Sequence, residues 1–482
     1  MGIPEFTTFC IYLFGMLAIG LVFYRVTKNL PDYILGGRRL GGTVAALSAG
    51  ASDMSGWLLL GLPGAIYSSG MNQVWIAVGL TFGAFLNWQF VAARLRNYTE
   101  MTNNSITLPD YLENRFQDQS KVLRVTSAAV ILLFFTFYTS SGLVSGAILF
   151  EKSFGLDYST ALVIGCIVIV SYTFLGGFLA VSWTDFFQGT LMFLALIVVP
   201  LVALSEIGGW GSALSKISGM NFEYVRIYSE MSILTVISLM AWGLGYFGQP
   251  HILARFMAVK SHREIPKARL VGMSWMVISL YGAIFTGFIG IAYYGDHPLD
   301  NPETVFIGLS QVLFNPWVSG CLIAAILSAI MSTVDSQILV CSSAVTEDFY
   351  RGIFRKDSSQ RELVWIGRFS VIIIAIVALT IARNPESRVL ELVAYAWAGF
   401  GAAFGPVIIL SLFWKRMTRN GALGGIITGA VTVVIWKQLK GGLFDIYEIL
   451  PGFILCLLAI VVISLMDKPP SSAIINKFES VT

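Results

Sequence analysis

One carboxylate, Asp53, lies inside a long stretch that otherwise carries no charge. Between Arg39 and Arg94 it is the only charged side chain. A carboxylate at membrane depth is costly unless it is paired, so Asp53 is a candidate functional group. The neighbouring groups offer only oxygen ligands, which favour a hard cation, with sodium and the proton as candidates. The alternative is that Asp53 caps an exposed helix end.

A second group of oxygen-bearing side chains lies at 329–336, in the sequence Ala-Ile-Met-Ser-Thr-Val-Asp-Ser. The adjacent hydroxyls of Ser332 and Thr333, with nearby main-chain carbonyls, suit a small cation without adding formal charge. Serine and threonine in membrane helices commonly bond back to the preceding turn; the carboxylate of Asp335 strengthens the case for a site. Asp185, at the start of another apolar run, could be a helix N-cap.

Four aromatic residues stand out from the many expected to face lipid or the membrane interface. Trp57, Trp242 and Tyr246 flank segments that are poor helix formers, and Tyr138 interrupts an apolar run. Trp242 and Tyr246 are four residues apart and would share one face if that turn were α-helical.

The composition is that of a membrane protein crossed by many helices. Of 482 residues, 56% are hydrophobic and 12% are charged, about half the charge of a soluble domain. This excludes an ordinary soluble enzyme, a nucleic-acid binder and a disulfide scaffold, and the net charge of +3 implies no polyanionic partner.

The cysteines and histidines show no metal-ligand spacing. The N-terminus lacks the basic region of a signal peptide, so the first apolar run is expected to be a retained span.

Apolar runs of helix length predict thirteen spans. They lie near 6–24, 41–67, 71–93, 125–150, 158–179, 183–205, 231–254, 270–295, 317–346, 365–382, 389–414, 420–436 and 446–466. Lysine and arginine concentrate in alternate connections, which places the N-terminus outside and the C-terminus in the cytoplasm. The longest polar connections are expected at 94–124 and 206–230.

Two of these spans contain helix-breaking sequences. Span 2 carries small and polar residues at 45–57, and span 7 carries three glycines and a proline at 241–250. Because the two breaks lie five spans apart, spans 2–6 and 7–11 are predicted to form two inverted repeats, 41–205 and 231–414. The single transporter domain, 1–482, would add a first span within 1–40, two spans within 420–466 and a tail, 467–482. Close helix packing is the alternative reason for the small residues.

Three long motifs resemble those of the sodium–solute symporter family, in particular its proline-transporting branch. They are Ser48-Ala-Gly-Ala-Ser-Asp-Met-Ser-Gly-Trp57, the segment 243–257 (Gly-Leu-Gly-Tyr-Phe-Gly-Gln-Pro-His-Ile-Leu-Ala-Arg-Phe-Met) and the segment 395–405 (Tyr-Ala-Trp-Ala-Gly-Phe-Gly-Ala-Ala-Phe-Gly). Shorter similar stretches lie at 32–38 and 176–185. The resemblance implies an all-α membrane protein with thirteen spans and a leucine-transporter-type core of two five-helix inverted repeats.

The resemblance also implies particular site residues. A sodium site would use main-chain oxygens of Ala51, Met54 and Ala329 and the hydroxyls of Ser332 and Thr333, with Asp53 acting directly or through structure. Asp185, Asp335 and Ser336 leave open a second cation site or a proton, and hence the stoichiometry. Arg38 matches a position that affects sodium coupling. The implied substrate positions are Ser55, Gly56, Trp57, Tyr138, Trp242, Tyr246, Gln249 and Pro250.

The expected function is import of L-proline coupled to sodium influx across the bacterial inner membrane. The partners would be proline, sodium and the lipid bilayer, with no nucleic acid and no organic cofactor; the oligomeric state is open. A sodium- or proton-coupled carrier of another small amino acid or solute is the main alternative. A channel should show a pore-lining repeat, a receptor usually adds a soluble domain, and an intramembrane enzyme would need a Ser/His or metal-ligating set; the sequence has no such feature.

Overall fold

The protein is built from membrane-crossing helices. The computed structural model describes residues 2–24, 30–175, 177–228, 231–295, 297–355 and 357–480, and every regular element in these ranges is helical. Gly176, within one of the similar stretches, lies outside them. Numbered as predicted, the spans are as follows: span 1, Ile3–Tyr24; span 2, Gly42–Asp53, Trp57–Gly61 and Leu62–Ser69; span 3, Val74–Leu86, Asn87–Val91 and Ala92–Met101; span 4, Val122–Phe154; span 5, Tyr158–Leu175; span 6, Phe178–Glu206; span 7, Ile233–Met240, Ala241–Gly248 and Pro250–Ala258; span 8, Ile265–Tyr294; span 9, Pro316–Ser343 and Ala344–Phe354; span 10, Gln360–Ile381; span 11, Val389–Phe413; span 12, Arg419–Trp436; span 13, Ile449–Met466.

Within the described ranges, ten helices are long and apolar enough to cross a membrane, and two shorter apolar helices begin at Tyr158 and Ile233. Span 2, which is interrupted and therefore not counted as one long helix, brings the number of spans to the predicted thirteen. Several boundaries differ from prediction: span 3 continues to Met101 instead of ending near 93, and span 6 begins at Phe178 instead of near 183. The extension of span 3 carries Arg94, Arg96 and Glu100, whereas residues 178–182, which extend span 6, are uncharged.

Both long polar connections contain helices of their own. The connection after span 3 includes Leu108–Phe116, and the connection after span 6 includes Trp210–Met220. The tail forms the helix Ser472–Glu479. These short amphipathic elements pack on the ends of the bundle.

Spans 8, 9 and 11 form the centre of the bundle, and span 1 lies at its edge. In the most apolar stretch of spans 9 and 11, 83% of residues are buried, against 17% in span 1. A helix that is apolar on every side and surrounded by protein must pack closely through small residues. Spans 9 and 11 meet this condition with their many alanines, glycines and serines.

The helix of span 2 stops at Asp53 and resumes at Trp57. Met54 leaves the helical conformation, with ψ of 78°, while its N–H still bonds to the Gly50 carbonyl at 2.9 Å. Small and hydroxyl-bearing residues weaken the helix here, and the freed main-chain groups are buried among protein instead of facing lipid. The predicted break is therefore present, and its non-helical residues are Met54 and Ser55.

Span 7 is interrupted differently. Ala241–Gly248 forms a 3-10 helix, Gln249 is extended, and Pro250 begins the next α-helix, where the missing proline N–H costs nothing. The glycines in the break permit direct contact with span 3. A Cβ on Gly243 would lie 2.1 Å from the carbonyl oxygen of Gly79, so only glycine fits this position.

A cluster of ion pairs joins the start of span 4 to the end of span 9, at the end of the bundle that is predicted to be cytoplasmic. The guanidinium of Arg124 lies 2.8 Å from Asp348, 3.1 Å from Glu113, 3.2 Å from Glu347 and 3.5 Å from Asp110. These pairs are largely buried, so they are weakly screened by salt. They join the start of span 4 to the end of span 9 and to the helix Leu108–Phe116.

Candidate functional site

The break in span 2 lies against span 9 and forms a compact set of oxygen atoms. The hydroxyl of Ser332 donates to the carbonyl of Ala51 at 2.7 Å, and the hydroxyl of Thr333 is 3.3 Å from the same oxygen. The Ser332 hydroxyl also lies 3.2 Å from the carbonyl of Ala329. All four residues are buried. The predicted sodium-site residues Ala51, Ala329, Ser332 and Thr333 are thus brought together.

These oxygens are neutral, and their arrangement suits a small hard cation. Carbonyl and hydroxyl lone pairs can replace the water shell of sodium. Within the described residues, no group of three or more histidine, cysteine or acidic side chains is placed to hold a metal ion. Met54, the fifth predicted ligand, lies just beyond the helix end, and its non-helical ψ turns its carbonyl out of the helical direction.

Asp53 links three spans at the same break. Its Oδ2 accepts a hydrogen bond from the hydroxyl of Tyr246 at 2.5 Å, and its main-chain carbonyl lies 3.0 Å from Trp57 Nε1 and 3.3 Å from the hydroxyl of Tyr138. Its Oδ1 has no hydrogen-bond partner among the described residues. Asp53 is 2% exposed, so it does not cap an exposed helix end. A buried carboxylate with a free oxygen can accept a cation or a polar ligand group.

The predicted substrate aromatics are all buried, but they form two groups. Tyr246 packs edge-on against Trp397 at 5.1 Å, whereas Trp242 lies 5.2 Å from Tyr447 and 6.4 Å from Trp57. The turn that carries Trp242 and Tyr246 is a 3-10 helix, so the condition for a shared α-helical face is not met. Residues four apart in a 3-10 helix point in different directions.

A small cavity lies beside Asp53 and Tyr246, with Trp88 and Met276 on its other side. Its volume of about 20 Å³ gives room for about one water molecule. Of the predicted substrate residues, Tyr246 lines this cavity.

The remaining predicted substrate residues line the two breaks. Ser55 accepts the N–H of Trp57 at 3.3 Å, and Gln249 donates to the carbonyl of Trp397 at 3.2 Å. Pro250 begins the second half of span 7. A Cβ on Gly56 would lie 2.5 Å from the hydroxyl of Ser145, so Gly56 allows the broken span 2 to approach span 4.

Two residues that sequence reasoning missed hold the break in span 7. Trp397 donates its indole N–H to the carbonyl of Trp242 at 2.7 Å, and Asn87 donates to the carbonyl of Tyr246 at 2.9 Å. A broken helix frees main-chain carbonyls that must be satisfied in a membrane. The feature that could have been recognised in the sequence was therefore a hydrogen-bond donor inside an apolar span, such as Asn87 in span 3.

Two of the three residues of the possible second cation site, Asp185 and Ser336, contact the side chain of Arg255. Asp185 lies inside span 6, seven residues after its start at Phe178, so its interpretation as an N-cap is wrong. Its Oδ2 lies 3.2 Å from Arg255 Nη2, and the same nitrogen lies 2.5 Å from the hydroxyl of Ser336. Asp335 is fully buried next to Ser336 on span 9. A guanidinium thus occupies the space between Asp185 and Ser336.

Arg38 connects three segments at the end of the bundle that is predicted to be cytoplasmic. Its guanidinium donates to the carbonyl of Met257 at 2.6 Å, to the carbonyl of Ser105 at 2.7 Å and to the side chain of Asn104 at 2.7 Å. Burial lowers the pKa of Arg38 to about 10, which leaves it charged at neutral pH. Because Met257 lies at the end of span 7, Arg38 ties the second half of that span to the loop after span 3.

Replacing Arg38 by glutamine is expected to slow sodium-driven substrate uptake about tenfold, since hydrogen bonds to a charged group contribute about 1.5–3 kcal/mol. Sodium binding to the purified protein should change less than about twofold on this scale, because Arg38 does not touch the oxygen set. The control is Arg39→Gln, whose side chain is 63% exposed. An equal loss in both variants would contradict a specific role for Arg38.

The sequence profile described as the sodium:solute symporter family matches residues 33–429. The chain belongs to the sodium:solute symporter family. The predicted resemblance is thereby confirmed.

Curated relatives in this family match nearly the whole chain. The chain is 57% identical to the "Sodium/proline symporter" of Escherichia coli (strain K12), over 98% of this chain and 95% of the relative. It is 55% identical to the "High-affinity proline transporter PutP" of Bacillus subtilis (strain 168), over 96% and 98%. The "Sodium/proline symporter" of Staphylococcus aureus is 47% identical, over 98% and 95%.

Solved structures confirm the predicted leucine-transporter-type fold of this symporter. A Na⁺-coupled sialic acid symporter in an outward-open state matches with a TM-score of 0.82 and 18% identity, covering 98% of this chain and 99% of that one. The nucleobase-cation-symport-1 transporter Mhp1 matches with a TM-score of 0.58 and 15% identity, covering 93% and 98%. At these identities the likeness concerns the fold alone.

Proposed function

We propose that the protein imports L-proline coupled to the downhill entry of sodium, by alternating access. The observation that carries this proposal is the buried set of oxygens formed by Ala51, Ala329, Ser332 and Thr333 at a helix break. The full-length similarity to proline transporters supports proline as the substrate. The protein is a membrane transporter that crosses the bilayer many times.

The first step of the cycle is binding of sodium at this oxygen set, which joins the first half of span 2 to span 9. Met54 and the carboxylate of Asp53 lie at the same helix end and complete the binding region. A cation here lowers the cost of the buried Asp53 charge and fixes the break in span 2. Because the break in span 2 is fixed, the substrate pocket next to it takes the shape that binds proline.

Proline then binds between the two breaks. Its charged groups need preformed polar partners, since removing a zwitterion from water is costly. The main-chain ends in spans 2 and 7, with Ser55, Gly56 and Gln249, can supply these partners. The pyrrolidine ring packs against Tyr246 and Tyr138, with Trp57, Trp242 and Pro250 forming the surrounding wall.

The substrate enters from the outer end of the bundle. A polar crevice of about 180 Å³, lined by Gly61, Gln73 and Arg388 among others, adjoins the second half of span 2. The Arg124 cluster lies at the opposite end. Coupling arises because each ligand stabilises the conformation that the other binds.

One sodium ion supplies enough driving force for accumulation. A charge that crosses about 100 mV releases about 2.3 kcal/mol, and a tenfold sodium gradient adds about 1.4 kcal/mol. Together these support roughly 500-fold accumulation of substrate.

The same proposal includes the orientation and internal division of the chain. The N-terminus lies outside and the C-terminus lies in the cytoplasm, as the distribution of lysine and arginine indicates. The membrane is the bacterial inner membrane. Segments 41–205 and 231–414 form the two inverted repeats, with the breaks at equivalent positions.

The test is uptake of radiolabelled proline into proteoliposomes with and without an inward sodium gradient. Sodium-dependent accumulation above equilibrium is expected. Sodium-driven uptake of another solute, with proline inert, would retain the ion site but contradict the substrate assignment. No coupled uptake of any tested amino acid would contradict the transport mechanism and favour a channel or receptor.

A further inference from the structure

A groove of about 560 Å³ lies between spans 5 and 10, on the outside of the bundle. Its floor is made of small side chains, Cys166 on span 5 and Ala375 on span 10, which are 9% and 4% exposed. Larger side chains border it, and the exposed fractions of Ile167 and Ile376 are 62% and 59%. The groove is therefore open on the side that faces away from the protein.

The groove follows one face of span 10 through about one leaflet of a membrane. On this span it is lined by positions 372, 375, 376, 379 and 380, a spacing that repeats on one side of an α-helix. The eight residue steps from Ile372 to Thr380 correspond to a rise of about 12 Å. One half of the hydrocarbon core of a bilayer is about 15 Å thick, so the groove has the length of a chain segment that belongs to a single leaflet.

The two hydroxyl groups that border the groove are already satisfied by their own helices. Ser171 donates to the carbonyl of Val168 at 3.0 Å, and Thr380 donates to the carbonyl of Val377 at 2.6 Å. The groove thus has no need of a polar ligand along its length. Hydrocarbon fills such a space best, because an unfilled gap loses the dispersion contacts of the side chains around it.

A positive charge lies at the end of the groove that is predicted to be outside. Arg383 lines this end, just beyond the last residue of span 10, Ile381. Its guanidinium forms no ion pair with a carboxylate in the described ranges. At the same end the hydroxyl of Tyr158 donates to the carbonyl of Ala382 at 2.7 Å, which joins the two spans. A guanidinium in this position matches a phosphate, to which arginine can donate two parallel hydrogen bonds.

We propose that the groove between spans 5 and 10 binds one phospholipid, with an acyl chain in the groove and the phosphate on Arg383. The apolar floor accounts for the chain, and the unpaired arginine accounts for the headgroup. Span 5 belongs to the first proposed repeat and span 10 to the second, so the lipid contacts both repeats at once. With the proposed orientation, it comes from the outer leaflet.

The primary test is native mass spectrometry of the purified full-length protein, delipidated in detergent and titrated with phosphatidylglycerol. The wild-type protein should bind one lipid more tightly than all later ones. Thr380→Trp places an indole in the exposed outer part of the groove and should weaken binding of this first lipid about tenfold or more, because it displaces part of the acyl chain. The control is Val377→Trp, at a 45% exposed position of the same helix outside the groove, which should bind the first lipid like the wild type.

Arg383→Gln tests the headgroup contact at an exposed position where folding is not at risk. It should weaken binding of the first lipid about tenfold, the effect of losing hydrogen bonds to a charged group. Arg226→Gln is its control, because Arg226 is paired with Glu223 at 3.1 Å and does not line the groove; this variant should bind like the wild type.

Three results would overturn the proposal. In the first, the wild-type protein binds successive lipids with equal affinity, as expected for lipids that only surround it. In the second, Thr380→Trp and Arg383→Gln both bind the first lipid like the wild type. In the third, the wild-type spectrum shows dimers that Thr380→Trp dissociates, which would mean that a second copy of the chain occupies the groove. The measurement uses neither proline nor sodium, so its failure would leave the proposed transport function standing.

Discussion

Replacing Asp53 by asparagine is expected to abolish sodium stimulation of proline uptake at ordinary sodium concentrations. Asparagine can still accept the hydrogen bond of Tyr246, so the change removes mainly the negative charge. For a cation in direct contact with this carboxylate, at about 4 Å, the charge contributes on the order of 4 kcal/mol at an effective dielectric constant of about 20. Sodium affinity should therefore fall on the order of a hundredfold to a thousandfold, measured as the sodium dependence of uptake in proteoliposomes.

The matched control for this variant is Asp157→Asn. The Asp157 carboxylate accepts a hydrogen bond from the N–H of Thr160 in an exposed position at the start of span 5. The sodium dependence of proline uptake in Asp157→Asn should therefore resemble that of the wild type. Asp53 carries a negative charge and also accepts a hydrogen bond from the hydroxyl of Tyr246. Tyr246→Phe removes this hydrogen bond but keeps the charge of Asp53, so it separates the two contributions. A wild-type sodium dependence in Asp53→Asn would exclude a role of this carboxylate in cation binding.

The second large effect is expected from Ser332→Ala. The hydroxyl of Ser332 lies between the carbonyls of Ala51 and Ala329 and is a proposed ligand of sodium. Its removal leaves buried carbonyls without their partner and deprives the ion of one oxygen, at a cost of about 1–3 kcal/mol. The sodium concentration for half-maximal binding should rise between about fivefold and 150-fold, measured by dialysis on the purified protein.

Span 9 supplies a close control for this measurement. Ser328 is one turn earlier, is equally buried, and its hydroxyl bonds to the Ala324 carbonyl at 2.7 Å. Ser328→Ala makes the same chemical change at the same depth in the protein but outside the oxygen set. Comparable losses in both variants would show that the effect of Ser332→Ala comes from packing of span 9 and not from ion binding.

The sequence predicted the architecture because a membrane imposes simple rules on it. Apolar length, the distribution of lysine and arginine, and two runs of helix-breaking residues were enough to place the spans and the breaks. The isolated charge of Asp53 marked the site for the same reason. Within the oxygen set, the residue types pointed to the hydroxyls of Ser332 and Thr333, whereas the main-chain oxygens of Ala51 and Ala329 were implied only by the family resemblance.

The features of the site that the sequence did not predict are those that depend on contacts between distant spans. The role of Trp397 depends on the Trp242 carbonyl that it reaches, and that of Asn87 depends on the Tyr246 carbonyl. Nothing in the local sequence of Arg255 shows that it enters the space between Asp185 and Ser336. The direction of each side chain in the span 7 break also depends on its 3-10 geometry, which the glycines allow but do not specify.

The contact between Gly243 and Gly79 constrains how the pocket can open. A Cβ on Gly83 of span 3 would lie 2.0 Å from the carbonyl oxygen of Gly243, so the two backbones touch at successive turns with no side chain between them. Such an interlocked pair cannot slide or separate by small side-chain rearrangements. Span 3 and the broken part of span 7 are therefore expected to move together when the pocket opens.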